Sequence, residues 1–152
     1  MITEDYVSLK TAKLLKEKGF KEWCRQCYGI DVRHNGKSIS IDEEYELKDT
    51  GRENEIEYVD GGMMYEFGCS NFYPSSPYAA PTLYVAMKWL RETHKLCISI
   101  APQVTDDDGD GGCLWQFAIT SHLEPLSISL ELYEQYEEAC EAAIKYCLEN
   151  LI

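Results

Sequence analysis

Three groups of residues in this sequence have types and spacings that could support chemistry. Asp106, Asp108, Asp110 and Gly111 match the opening half of an EF-hand loop, where alternate carboxylates ligate calcium. Counting on puts the bidentate acid of such a loop at Phe117, which cannot ligate. Strand-like runs flank the loop, so it reads as a hairpin tip with at most weak cation binding at Asp106 to Asp110. Cys24 and Cys27 form a C-x-x-C. A structural zinc site wants a second close pair, and Cys69, Cys97, Cys113, Cys140 and Cys147 are single. The redox version of the motif opens a helix after a strand; here it follows a helical pattern. Buried thiols in a reducing compartment account for the cysteines. His34, His94 and His122 show no metal-ligand spacing, and no nucleophile turn is present. Gly36-Lys37-Ser38 ends like a phosphate loop but lacks its upstream glycine. No catalytic residue, metal or cofactor is assigned, and a non-enzyme is expected.

The aromatics make the third group. Tyr73 and Tyr78 precede a central helix, and Thr82 and Tyr84 stand at its start. A helix N-terminus offers free N–H groups to an anion, and aromatics beside it could stack a base. With Lys88 and Arg91 further along the helix, these six residues are the candidate ligand site, for a small nucleotide rather than a long strand. The competing reading is that the tyrosines cover a sheet edge or form a self-association surface, where aromatics are also enriched; a homo-oligomer follows from that.

The elements that must position these groups can be read from periodicity. Ser8 caps a helix from Leu9 to about Lys18, stopped by Gly19. Phe20 to Tyr28, which alternates after Glu22, predicts a strand. Val32 to Ile41 carries Asn35-Gly36, a tight-hairpin signal. Between Asp42 and Gly68 the chain is densely acidic, with Lys48 and Arg52 its basic residues. Tyr45, Leu47, Ile56 and Tyr58 predict two exposed strands around a turn, or an acidic flap. Cys69 to Ala80 reads as an irregular loop. Pro81 suits the first turn of a central helix, whose stripe is Leu83, Ala86, Met87 and Leu90. A strand from Leu96, the tip at Thr105 to Gly112, and a return strand from Leu114 to Ser121 make a hairpin. Pro125 breaks the chain. A last helix carries a stripe from Leu132 through Ile144 to Leu151, with Glu134, Glu137, Glu138 and Glu141 outward. This order predicts an α+β fold, a mainly antiparallel sheet with about three helices packed on one face, in a single domain over 1–152.

The chain of 152 residues carries 27 acids against 14 lysines and arginines, a formal charge of −13. Such a surface repels phosphate backbones and excludes long nucleic acid as a partner. Solubility is its first meaning; a host protein with a basic face is the functional one. No apolar run spans a membrane, and the acidic start is unlike a signal peptide, so a bacterial cytoplasm is expected.

TAKLLKEKGF at Thr11 to Phe20, APT-x5-KWLRE at Ala80 to Glu92, and YEEACEAAIKYCLENLI at Tyr136 to Ile152 resemble a family of small uncharacterised proteins of gut anaerobes, their phages and integrated elements. Leu83 and Tyr84 replace polar residues of that pattern, and the acidic middle is longer. The resemblance implies no catalytic residues. It implies a mobile-element accessory protein acting on a host component.

Overall fold

The computed structural model describes residues 4–28, 32–34, 37–39, 47–49, 56–58, 71, 78–104, 112–121 and 124–152. The chain divides into two compact units, one of residues 1–5 and 82–152, the other of residues 6–81. The fold is α+β, with three helices and antiparallel pairing throughout the described ladders.

In the first unit, helix α2 (Leu83–His94) begins at Thr82, whose hydroxyl accepts from the Val85 N–H at 3.3 Å. Pro81 therefore precedes the cap instead of sitting in the first turn, because the threonine satisfies a donor that proline cannot. Leu83, Ala86 and Leu90 are buried as the spacing predicts, Met87 is half-buried, and Trp89 joins them. Lys95 ends the helix in a left-handed conformation, φ 60°, and turns the chain directly into strand β7 (Leu96–Val104).

Strand β7 pairs along its whole length with β8 (Cys113–Ser121), from Leu96 opposite Ser121 to Val104 opposite Cys113. The face carrying Leu96, Ile98, Ile100, Phe117 and Ile119 receives helix α3 (Tyr136–Asn150): Trp115 meets Tyr136 edge-on at 5.2 Å, and the Phe117 and Tyr146 rings lie 6.3 Å apart. Helix α3 buries Ala139, Cys140, Ala143, Ile144, Cys147 and Leu148. On the opposite face Ser99 and Ala101 are exposed, which an antiparallel sheet tolerates. Pro125 does not break the chain. It lies in a third strand, β9 (Glu124–Ile128), whose register to β8 shifts between Ile119 and Thr120. An edge position beside a bulge is where a strand accepts proline.

In the second unit, Ser8 caps α1 (Leu9–Glu17) and Gly19, φ 90°, follows its end. The Gly19 and Phe20 N–H groups bond back to Lys16 and Leu15, closing the helix. The predicted strand over Phe20 to Tyr28 shrinks to β1 (Cys27–Tyr28), paired with β6 (Tyr78–Ala79). The alternation itself is real: Cys24 and Gln26 are buried, Trp23 and Arg25 exposed. Among the described residues Cys24 makes a single bridge and a named strand forms only at Cys27–Tyr28, whose partner β6 makes part of the expected loop before α2 a strand. Helix α1 packs at β6, in its own unit, while α2 and α3 pack with the three-stranded sheet. Both hairpins of the middle are present: β2 (Val32–His34) with β3 (Lys37–Ile39), joined by Asn35-Gly36, and β4 (Leu47–Asp49) with β5 (Ile56–Tyr58). Tyr45, Ile41 and the tip at Asp106 to Asp110 lie outside the described residues.

Candidate functional site

The start of α2 and the start of α3 open onto one cavity of about 480 Å³ within the first unit, a size typical of ligand sites. Its apolar wall is Leu83, Met87 and Cys140. Two tyrosines stand on it. Tyr84, on the second residue of α2, is 64% exposed; Tyr136, the first residue of α3, is 41% exposed and held edge-on by Trp115. Three carboxylates, Glu4, Asp5 and Glu137, complete the lining. Acids at helix starts also suit the local dipole.

Donors for an anion are largely taken here. The Leu83 N–H donates to the Asp5 carbonyl at 2.9 Å, and the Val85 N–H to Thr82. The cavity offers no activated nucleophile. Burial drives the Cys140 thiol up to about 11, offset in part by its hydrogen bond with Tyr136. Tyr136 is raised as well, first by burial, then by Cys140 and by the neighbouring Glu137. Both groups are protonated near neutrality, and a protonated thiol is a poor nucleophile.

Of the six predicted site residues, Thr82 and Tyr84 line this cavity. Lys88 and Arg91 continue the exposed face of α2 beyond it, with Lys88 3.9 Å from Glu92. Tyr78 belongs to the other unit, where the Lys13 and Lys16 ammonium groups lie 5.9 and 5.1 Å from its ring centre. Tyr73 lies outside the described residues. Among the described residues, no three His, Cys, Asp or Glu gather as a metal site, and no helix is long and apolar enough to cross a membrane. Phe117, where an EF-hand would need its last ligand, is a core residue of β8.

Glu4, Asp5, Tyr136, Glu137 and Cys140 were not singled out by the sequence as site residues. Tyr136 and Cys140 read as helix stripe and Glu137 as outward surface. No local signal joins residues 4–5 to 136–140; tertiary packing does. No protein-family model, no functionally described protein and no solved structure matches this chain.

Proposed function

We propose that this chain is a non-catalytic binding protein that holds a partner with a basic face. The observation that carries the reading is the lining of the cavity: three carboxylates around two tyrosines on an apolar wall. A lysine or arginine side chain fits that chemistry, its stem on Leu83 and Met87, its cation over an aromatic face and beside a carboxylate. The net charge of −13 favours the same partner from a distance. The segments resembling mobile-element proteins support a host component as that partner.

A nucleotide is the alternative, and the lining speaks against it. A phosphate at the start of α2 would meet Glu4 and Asp5 and find two of the N–H groups engaged. The raised Cys140 thiol supports binding over covalent chemistry.

The test is capture from bacterial lysate by the wild-type chain and by a Tyr84→Ala/Glu137→Gln variant, with each captured protein purified and rebound. The expected result is a protein with a basic face that the variant retains at least tenfold less well and that about 0.5 M salt releases. Thermal stabilisation by cyclic or linear nucleotides, with no such protein recovered, overturns the reading.

A further inference from the structure

Between β9 and α3 the chain leaves the sheet and comes back to it. The Ser129 N–H donates to the Phe117 carbonyl at 2.9 Å, and the Phe117 N–H donates to the Ser129 hydroxyl at 3.0 Å. Four residues on, Tyr133 exchanges two bonds of 2.8 Å with Trp115. On β8 a single residue, Gln116, separates those two partners; on the returning chain Leu130, Glu131 and Leu132 do. Three residues against one force the extra chain outward. The Gln116 amide donates to the Ser129 carbonyl at 2.8 Å and closes the gap beneath. Both feet of this bulge are fixed: Ser129 is buried, and Tyr133 stacks on Phe117 at 6.1 Å.

A pinned bulge therefore holds leucines out in water. Leu130 is 100% exposed, Leu132 45%, and Ile128 beside them 59%. Burying such side chains is favourable, so their display wants a partner surface. Every charged residue of this stretch is acidic: Glu131 lies between the leucines in the chain, Glu134, Glu137 and Glu138 follow them, and no lysine or arginine occurs from Glu124 to Ile144. A second copy would bring the same acids against these.

We infer that this bulge is a docking anchor for a protein segment that is both apolar and basic, its apolar side chains on Leu130 and Leu132 and its cations among the flanking glutamates. The inference rests on the reading of the chain as a binder of basic partners and adds a second point of contact. Five residues separate Leu130 from Tyr136 at the cavity, at most ~22 Å of chain, so one short segment reaches both. It takes the helix-in-groove or extended-strand form of recognition, with specificity set by apolar anchors and the charge around them.

Two fluorescent peptides of equal length and charge serve as probes, an amphipathic lysine–leucine peptide and a lysine–alanine one. The full chain is expected to bind the leucine peptide at least tenfold more tightly, ~1.4 kcal/mol. A Leu130→Ser/Leu132→Ser variant, altered only at exposed positions, is expected to lose that preference and keep its binding of the alanine peptide. Glu137→Gln is expected to weaken both. A preference unchanged in the serine variant overturns the anchor and leaves the basic-partner reading standing. Binding of neither peptide by the wild type overturns both. A wild-type dimer that the serine variant dissolves, with no peptide preference, assigns the bulge to a second copy and overturns the anchor.

Discussion

A buried cysteine is defined by what surrounds its sulfur. Cys140 and Cys147 have no exposed surface, and burial pushes their thiols up to about 11 and about 12. Cys113, at the hairpin end of β8, is exposed. A disulfide-exchange reagent at pH 8 is expected to titrate Cys113 rapidly and to reach Cys140 and Cys147 only on unfolding; fast labelling of Cys140 would place its thiol in an electropositive site that the packing does not provide. The same burial makes stability depend on pH. Each folded thiol sits above its usual 9.0, so the folded chain holds protons that the unfolded chain gives up first. That contribution is complete below about pH 9 and is lost as pH rises through 11 and 12. Melting temperature is expected to fall above pH 9, and to fall less steeply in Cys140→Ala/Cys147→Ala, whatever that variant loses at neutral pH. At Ser129 a hydrogen bond sets the cost of substitution. Its buried hydroxyl takes the Phe117 N–H, so Ser129→Ala orphans a buried donor and is expected to cost ~1–3 kcal/mol in urea unfolding. The expectation of buried thiols holds at Cys140 and Cys147, which fall on a helical stripe, and at Cys24; it fails at Cys113, which is exposed at the end of β8, and at the half-buried Cys97, because strand positions near a hairpin end or on the outer face are not covered. The sequence hides the role of Ser129, which depends on a neighbour twelve residues away.

At the scale of elements, what was legible is what carries its own period. Helices α1, α2 and α3 and the β7–β8 hairpin follow from apolar spacing, and Asn35-Gly36 marks its hairpin; the cap is where expected at Ser8, whereas Thr82 caps α2 after Pro81, and α3 starts at Tyr136, leaving Leu132 outside the helix. Two elements misled. Trp23 to Gln26 alternates in burial, yet the segment is a named strand only at Cys27–Tyr28, with a single bridge at Cys24, because alternation reports which side faces inward and not whether another strand lies alongside. Pro125 looks like a breaker, and an edge strand with a register shift absorbs it. The cavity was half legible. Thr82 and Tyr84 could be picked out from the start of α2, while the carboxylates arrive from residues 4–5 and from the first turn of α3. The α2–β7 corner yields a test of how tightly local geometry is held. Lys95 occupies a left-handed conformation that costs a non-glycine residue ~1 kcal/mol or more. Lys95→Gly removes that strain at the usual glycine cap position and is expected to stabilise the chain by ~0.5–1 kcal/mol, read as a higher urea midpoint at unchanged slope. It also forfeits the 2.7 Å bond from the Lys95 ammonium to the Glu92 carbonyl, an exposed contact of small worth. A lower midpoint would mean that the side chain does more at this corner than cap it.

Over the whole molecule, charge is the property that no single residue explains. An excess of 13 negative charges on 152 residues sets up a field that reaches beyond any one contact. For the basic partner proposed above, that field acts before docking, and salt shortens its reach, from about 30 Å at 0.01 M to about 8 Å at 0.15 M. Contacts made after docking, such as leucine on an apolar side chain, are indifferent to that screening. The two contributions therefore separate in kinetics. For the lysine–leucine peptide the association rate is expected to fall at least tenfold between about 0.01 and about 0.3 M salt, a range that spans that change in screening, while dissociation shifts much less. The Leu130→Ser/Leu132→Ser variant is expected to show the same salt slope in association and a faster dissociation at every salt concentration, because it removes the contact and leaves the field. An association rate flat in salt would mean that the acidity serves solubility alone, and that the carboxylates around Tyr84 and Tyr136 stabilise helix starts without recruiting anything.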